Sequence, residues 1–330
     1  MRGTAPARLA LLAALAASAL AGCTGSGGAG GAGPSAGAHG GTPGPSGATA
    51  SATAGPTADG TARPPAAGPT GPPSSGGRAS ASPGSRPPRP PAPGGTRTAL
   101  WKPRPGLAWQ WQLDGRVDPS ADVPVYDIDG FENSASDVAR LHRDGRKVIC
   151  YVNVGAWEDF RPDRGAFPRS VLGRPNGWEG ERWLDIRRIS VLRPIMERRF
   201  DMCRDKGFDA VEPDLVEGYG NDTGFPLTAR DQLRYNRMIA DIAHARGLSV
   251  GLKNDLPQIP QLVDHFDFAV NEECAQYDEC ERLAPFVAAG KAVFHVEYSE
   301  PAGAFCPASR ALRLSSMLKK PELGVWRKPC

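Results

Sequence analysis

From residue 100 onward, the chain repeats one pattern of hydrophobic and polar positions. A short apolar run rich in β-branched or aromatic residues ends in polar residues, and a segment with helical spacing usually follows. This pattern predicts eight strands, at residues 107–113, 123–128, 147–154, 182–186, 208–214, 248–254, 266–272 and 292–298. It predicts helices at 134–144, 189–206, 228–246, 256–265 and 280–289, several of which end at a glycine. Residues 160–180 are predicted to form a long loop.

The alternation of strands and helices indicates the fold class. Strands that are separated by helices pair in parallel, and eight of them within about 230 residues predict an α/β protein with a (β/α)8 TIM barrel. An open, doubly wound sheet is the alternative. That fold would be favoured by a glycine-rich phosphate loop after the first strand, and the sequence contains none there.

The composition divides the chain into a folded part and an unfolded part. The 330 residues include 40 Gly and 33 Pro, and 67 of the 73 residues from 24 to 96 are Gly, Ala, Pro, Ser or Thr. Such a segment cannot bury enough apolar surface to offset the entropy of ordering it. We therefore expect residues 23–96 to form a disordered tether and residues 97–330 to form one folded domain.

The positive charge also belongs to the N-terminal part. The formal net charge of the chain is +3, but residues 97–330 hold 33 Lys and Arg against 35 Asp and Glu, a net charge of −2. The domain has no basic patch with interleaved aromatic residues. We therefore expect no nucleic-acid partner.

The first 23 residues have the parts of an export signal. Arg2 and Arg8 precede an apolar run over residues 9–20. The sequence LAGC at 20–23 resembles the bacterial lipoprotein box. An ordinary secretory signal or a membrane-spanning anchor is the alternative, although spanning takes about 20 apolar residues. We expect a signal peptide at 1–22, lipidation of Cys23, and a domain anchored on the extracellular side of the cell membrane.

Six further cysteines lie in the domain. An even number in an exported domain indicates disulfides, although six cysteines allow 15 connectivities. Free thiols or a metal site are the alternatives, but no C-x-x-C spacing or histidine pair favours a metal, and we expect none. The preferred pairs are Cys150–Cys203, Cys274–Cys280 and Cys306–Cys330.

Polar residues occupy the ends of the predicted strands, where the active site of a (β/α)8 barrel forms. Several of them are carboxylates, and carboxylates that converge at one mouth are the groups that glycoside hydrolysis requires. Aromatic residues near the same ends could stack on sugar rings. A serine hydrolase is disfavoured because the sequence has no G-x-S-x-G motif.

The order and spacing of these motifs resemble those of one known family. The motifs are WQWQL, VYDIDGF, VICYVNVGAWEDFRPD, WLDIR, GFDAVEPDLVEGY, GLKND, NEECAQYDEC and HVEY. Over nearly all of 105–330, the domain resembles glycoside hydrolase family 114, the endo-α-1,4-polygalactosaminidases. The resemblance implies a (β/α)8 fold, no cofactor, and endo-cleavage of a galactosamine-containing polysaccharide. It also implies two catalytic carboxylates, Asp214 after the fifth strand and Glu272 after the seventh.

We expect Asp214 to act as the nucleophile and Glu272 as the general acid and base, with retention or inversion left open. Side chains alternate along a strand, so only one of Glu272 and Glu273 can point inward, and Glu273 is the replacement. The family commonly has Asn and Asp where this chain has Leu215 and Glu217. The candidates for substrate binding are Asp127, Asp129, Tyr151, Asn153, Glu212, Lys253, Asn254, Glu273 and Tyr298.

The sequence thus predicts a secreted, membrane-tethered and monomeric glycoside hydrolase whose partner is an extracellular polysaccharide containing α-1,4-linked galactosamine. A related barrel hydrolase that acts on another extracellular glycan is one alternative. A lipoprotein that binds carbohydrate without cleaving it is the other, and the altered neighbours of Asp214 favour it slightly.

Overall fold

The structure is a computed structural model that describes residues 100–330. The predicted signal peptide, the lipidation site at Cys23 and the predicted tether lie outside the described residues. Among the residues that are described, no helix has both the length and the apolar character needed to cross a bilayer.

The described residues form strands and helices in alternation. The strands are β1 Trp109–Gln112, β2 Val125–Asp129, β3 Lys147–Asn153, β4 Ala156–Glu158, β5 Leu172–Pro175, β6 Glu181–Leu184, β7 Ala210–Asp214, β8 Ser249–Lys253, β9 Phe268–Glu272, β10 Val293–Glu297, β11 Ser315–Leu318 and β12 Lys328–Pro329. The α-helices are α1 Ala135–Arg143, α2 Ile189–Lys206, α3 Ala229–Ala245, α4 Ile259–Leu262, α5 Ala284–Ala288 and α6 Ala302–Ala311.

Eight parallel strands form the barrel, in the order β1-β2-β3-β7-β8-β9-β10-β11. The short β12 pairs antiparallel to β11. The first and last parallel strands are linked by the indole Nε1 of Trp109, which donates to the carbonyl of Ser315 across 2.8 Å. The predicted α/β fold with a TIM barrel is thus confirmed.

One of the eight predicted strands is wrong. The segment predicted as a barrel strand at 182–186 forms β6, which pairs antiparallel with β4 and β5 in a separate three-stranded sheet. One strand of this sheet, β5, lies within the predicted loop at 160–180, together with two short 3₁₀ turns. The true eighth strand is β11, which follows α6, and neither element was predicted. Ser315 and Ser316 weaken the apolar signal of β11, and Gly303 and Pro307 weaken the helical signal of α6.

This correction changes the numbering of the candidate catalytic strands. Asp214 ends β7, which is the fourth barrel strand, and Glu272 ends β9, which is the sixth. The expected fifth and seventh positions were therefore wrong, because the sequence count included β6.

Alternation along the strands separates an interior from an outer layer. In β3, Val148, Cys150 and Val152 pack with the helices, whereas Ile149 packs inside the barrel with residues such as Trp111. Residues at the inward positions of the strand ends consequently face the mouth of the barrel.

The longer helices begin and end at the expected signals. Ser134 and Asp137 form a capping box at the start of α1, and Thr228 and Asp231 form one at the start of α3. Helix α2 ends at Gly207, whose φ of 90° is left-handed. The predicted helices at 256–265 and 280–289 are each shorter, a 3₁₀ turn followed by α4 or α5.

The three predicted disulfides are confirmed. Cys150–Cys203 joins β3 to α2, Cys274–Cys280 closes the loop after β9, and Cys306–Cys330 joins α6 to the C-terminal segment. The described residues contain one group of metal-capable side chains, formed by Cys274, Cys280 and His295. Two of its three ligand atoms are joined in the disulfide, so this group does not suit a metal.

Candidate active site

A buried lysine connects two carboxyl groups at the mouth of the barrel with a third that lies one layer deeper. Lys253 ends β8 and is 2% exposed. Its Nζ lies 2.9 Å from Asp214 Oδ1, and 3.2 Å both from Glu212 Oε1 and from Glu272 Oε2. It also lies over the ring of Trp111, 4.9 Å from the centroid. One ammonium group therefore holds together the ends of β7, β8 and β9.

Each candidate catalytic carboxyl also accepts a tyrosine hydroxyl. Tyr151 donates to Asp214 Oδ2 across 2.7 Å, and Tyr298 donates to Glu272 Oε1 across 2.5 Å. The side chains of Asp214 and Glu272 remain 15% and 25% exposed. Both carboxyls are thus fixed from within the barrel and still reach the solvent in the mouth.

The charges around Asp214 favour its ionised form. Burial raises the pKa of Asp214, but the Lys253 ammonium and the Tyr151 hydroxyl outweigh burial and hold the pKa below its ordinary value. Burial also raises the pKa of Tyr151 and Tyr298 well above the ordinary value, so both hydroxyls keep their protons as donors. Asp214 is therefore a carboxylate at neutral pH, as a nucleophile must be.

Glu272 is held in place by the end of β8. The side-chain Oδ1 of Asn254 accepts the backbone N–H of Glu272 at 2.9 Å, and its Nδ2 donates to Glu272 Oε2 across 3.3 Å. The inward side chain at the end of β9 is thus Glu272. Glu273 turns away with a left-handed φ of 62°, and its pKa is raised to about 7 by burial and by the neighbouring Glu272.

Left-handed backbone follows each of the three strand ends. Leu215, Asn254 and Glu273 have φ values of 59°, 47° and 62°, and they come directly after Asp214, Lys253 and Glu272. Non-glycine residues in this conformation cost about 1–3 kcal/mol each and concentrate at functional sites. The strained residues thus lie directly beside the carboxyl cluster, which consists of Glu212, Asp214 and Glu272 around Lys253.

Two of the predicted substrate-binding carboxyls have no exposed surface. Asp127 in β2 and Glu212 in β7 are both fully buried, and Glu212 Oε2 accepts the indole N–H of Trp111 across 3.0 Å. Glu212 precedes Asp214 by two positions, so it lies one layer deeper in the barrel. The structure places both groups behind the mouth.

The side chains of two other candidates, Asp129 and Asn153, bind other groups of the protein. Arg161 forms a bidentate ion pair with Asp129, at 3.0 and 2.6 Å, and also contacts Glu158 at 2.8 Å. Asn153 Oδ1 accepts the backbone N–H of Gly155 and of Ala156, which fixes the turn after β3. Asp129 and Asn153 therefore shape the loops at the mouth, and the structure does not bring Asp129 to Lys253.

Three carboxyl groups near the site were not among the candidates. Burial raises the pKa of Glu181 to about 7, and the pKa values of Glu217 and Asp255 to about 8. The charge of Asp214 contributes to the shifts at Glu181 and Glu217. Asn153 donates to Glu181 Oε2 across 3.2 Å.

The parallel interpretation of residues 182–186 explains why Glu181 was missed. That interpretation put the start of the strand at the end of the barrel opposite to the mouth, whereas antiparallel pairing in the three-stranded sheet brings Glu181 to the end of β3. For Asp255 the signal was present in the sequence GLKND, where only the two preceding residues, Lys253 and Asn254, were selected.

Two solved structures resemble this chain. Ega3 of Aspergillus fumigatus, solved in complex with galactosamine, matches with a TM-score of 0.68 and 42% sequence identity, over 71% of this chain and 98% of that chain. The glycoside hydrolase domain of PelA from Pseudomonas aeruginosa matches with a TM-score of 0.54 and 15% identity, over 67% of this chain and 97% of that chain, which supports the fold alone. The comparison with curated proteins gives no significant match.

The family model for glycoside-hydrolase family GH114 matches residues 91–330, which include every residue of the carboxyl cluster. That range covers most of the chain and contains all eight barrel strands. The chain therefore belongs to glycoside hydrolase family GH114.

Proposed function

We propose that this protein cleaves α-1,4-linked galactosamine-containing polysaccharide within the chain, with Asp214 as nucleophile and Glu272 as general acid and base. The observation that carries the proposal is the shared contact of both carboxyls with Lys253, at 2.9 and 3.2 Å, while each remains partly exposed. The crystal structure of Ega3 with galactosamine supports the choice of sugar.

The shared contact with Lys253 is compatible with retention of configuration. The one oxygen of each carboxyl that contacts Lys253 lies at most about 6 Å from the other, which is the combined length of the two contacts. Retaining glycosidases have carboxyl separations of about 5–5.5 Å, and inverting ones about 6.5–9.5 Å.

Hydrolysis then proceeds in two steps, formation of a glycosyl ester and its hydrolysis. Glu272 gives its proton to the glycosidic oxygen while Asp214 attacks the anomeric carbon, so that the glycosidic bond breaks and a glycosyl ester of Asp214 forms. Glu272, now ionised, takes a proton from water as the water oxygen attacks the same carbon. Asp214 leaves as a carboxylate, and Glu272 has regained its proton.

The charge of the mouth suits a cationic sugar. Lys253 is buried and already contacts three carboxyl groups, whereas Glu181, Glu217 and Glu273 carry further carboxyls around the candidate catalytic pair. Because their pKa values are raised to about 7 or 8, an ammonium group on the substrate would favour their ionised forms and would in turn be stabilised by them.

The direct test is incubation with partially deacetylated galactosaminogalactan and detection of released oligosaccharides by mass spectrometry. We expect Asp214→Asn and Glu272→Gln each to abolish release. Asp205→Asn, an exposed change in the last turn of α2, is the matched control and should release oligosaccharides like the wild type. Binding of the polymer without products in the wild type would instead indicate the non-catalytic carbohydrate-binding protein.

We further propose that the enzyme is held at the outer face of the cell membrane by lipid on Cys23. The proposal rests on the LAGC sequence and the preceding apolar run. Cys23→Ala should abolish incorporation of labelled palmitate and leave the protein out of the membrane fraction. Labelling that persists in Cys23→Ala would contradict the anchor.

A further inference from the structure

The pair formed by Asp127 and Glu212 has a feature that the proposed reaction does not use. Both carboxyls are fully buried inside the barrel, and neither oxygen of Asp127 receives a hydrogen bond from any N–H or O–H group in the described part of the chain. A buried carboxylate anion without donors is strongly unfavourable. The ionised form of Asp127 is therefore disfavoured by its surroundings alone.

Glu212 has one oxygen that can accept a proton. Its Oε2 is occupied by the indole of Trp111, whereas its Oε1 lies 3.2 Å from Lys253 Nζ without the alignment of a hydrogen bond. A side-chain hydrogen bond between the two carboxyls raises the pKa of Asp127 and lowers the pKa of Glu212, although burial raises both. Two carboxyls in contact inside a protein cannot both be ionised.

We propose that Asp127 keeps a proton and donates it to Glu212, and that this pair, with a single negative charge, is a positioning device that holds Lys253 between Asp214 and Glu272. Neither residue touches the substrate. Both act through Lys253, which fixes the two exposed carboxyls.

The neighbouring carboxyl groups favour one shared proton on the pair, whereas the Lys253 ammonium opposes it. Asp127 faces Glu212 and Asp214 on β7 and Lys253 on β8, and Glu272 on β9 also acts on Glu212. Burial and the charge of Glu212 raise the pKa of Asp127 well above its ordinary value. If Asp127 were ionised, its negative charge would add to those of Glu212 and Asp214, and it would compete with Asp214 for the single ammonium of Lys253.

The proton on Asp127 can be tested without any substrate. Infrared difference spectra of the resting enzyme, wild type minus Asp127→Asn, should show the C=O stretching band of a buried carboxylic acid at neutral pH. The corresponding spectrum for the exposed control Asp205→Asn should show only a carboxylate band. A carboxylate band in the Asp127→Asn difference would overturn the proposal, whatever the substrate of the enzyme.

The positioning role rests on the proposed function and is tested by turnover of partially deacetylated galactosaminogalactan. Asp127→Leu removes the donor and should lower kcat about tenfold or more. Asp127→Asn restores a neutral donor of similar shape and should recover most of that loss, with an unchanged pH profile of kcat/KM. An ionised Asp127 predicts instead that Asp127→Asn lowers the pKa of Asp214 and moves the acid limb to lower pH, which would contradict the proposal.

The protonation of Asp127 can still be decided if one variant does not fold or if the polymer is not a substrate. Should Asp127→Leu not fold, as judged by circular dichroism, the infrared spectrum and the pH profile of Asp127→Asn still decide the protonation of Asp127. Should the wild type not hydrolyse this polymer, the proposed substrate fails while the infrared result stands by itself.

Discussion

The ammonium nitrogen of Lys253 lies 2.9 Å from Oδ1 of Asp214, and the lysine is almost completely buried. Burial alone would lower the pKa of Lys253, but the surrounding carboxylates raise it well above the ordinary value, so the lysine stays charged. The same contact keeps Asp214 ionised. The ionised form of Asp214 thus depends on a neighbour that is itself almost completely buried.

Lys253→Met should therefore lower kcat/KM by about 100-fold or more, because it removes the charge that stabilises ionised Asp214. The pKa of Asp214 should rise, so the acid limb of the pH profile should move to higher pH. The measurement is kcat/KM against pH, with Lys102→Met, an exposed lysine paired with Asp267, as the control. An unshifted acid limb would contradict the role given to Lys253.

Removal of the two tyrosine hydroxyls should have different effects on the pH profile. Tyr151→Phe removes a donor to Asp214, so it should lower kcat about tenfold and move the acid limb to higher pH, because that hydrogen bond lowers the pKa of Asp214. Tyr298→Phe removes the donor to Glu272 and should lower kcat by a similar factor without that shift of the Asp214 limb. Identical pH profiles for the two variants would argue against separate roles for the two carboxyls.

Glu217 should make stability depend on pH. Its pKa is raised to about 8 in the folded protein, above the value of 4.5 expected for the unfolded chain. The folded state therefore binds the proton more tightly, and stability falls as the pH rises from about 4.5 to about 8. Glu217→Gln stays neutral, so its gain in melting temperature over the wild type should be larger at pH 8 than at pH 5.

The control for Glu217 is Glu197→Gln, which alters an exposed residue on α2. Its effect on melting temperature should be small at both pH values. A Glu217→Gln gain that is equal at the two pH values would mean that the Glu217 carboxyl is not protonated in the folded protein.

Removal of two of the disulfides should affect activity and stability in opposite order. Cys274–Cys280 closes a loop of sequence separation 6 directly after Glu272 and Glu273, and Cys306–Cys330 has a separation of 24. By loop entropy, removing the first should cost about 2 kcal/mol of unfolding free energy and removing the second about 3.5 kcal/mol. Replacing Cys274 and Cys280 by serine should nevertheless reduce kcat more, because it loosens the segment that follows Glu272.

Denaturant unfolding and kcat, measured on both double serine variants, check this reversal. If the variant without Cys306–Cys330 lost more activity as well as more stability, the loop after Glu272 would have no special dependence on its disulfide.

The sequence predicted the local features of the site better than the distant contacts. Strand alternation predicted that only one of Glu272 and Glu273 could face the mouth, and strand ends identified Asp214 and Lys253. The ion pair of Asp129 with Arg161 joins residues 32 positions apart through a loop without a regular pattern, so no local signal indicated it. The contact therefore became visible only in three dimensions.

The error at β6 has a physical cause. Its apolar alternation is the same in a parallel and in an antiparallel pair, so the sequence could not distinguish the barrel from the separate sheet. The missed strand β11 begins with Ser315 and Ser316, and Ser316 is used to bond His295 on β10. This hydrogen bond joins two neighbouring strands, and the serine that makes it does not contribute to a hydrophobic pattern in the sequence.

The most direct test of the central claim is peptide mapping of a covalent intermediate on Asp214. The Glu272→Gln variant, incubated with a galactosaminide that has a good leaving group, should form the glycosyl ester without acid assistance and hydrolyse it slowly. Mass spectrometry should then find one galactosaminyl unit on the peptide that contains Asp214. A label on another carboxylate, or turnover by Asp214→Asn at the wild-type rate, would contradict the account.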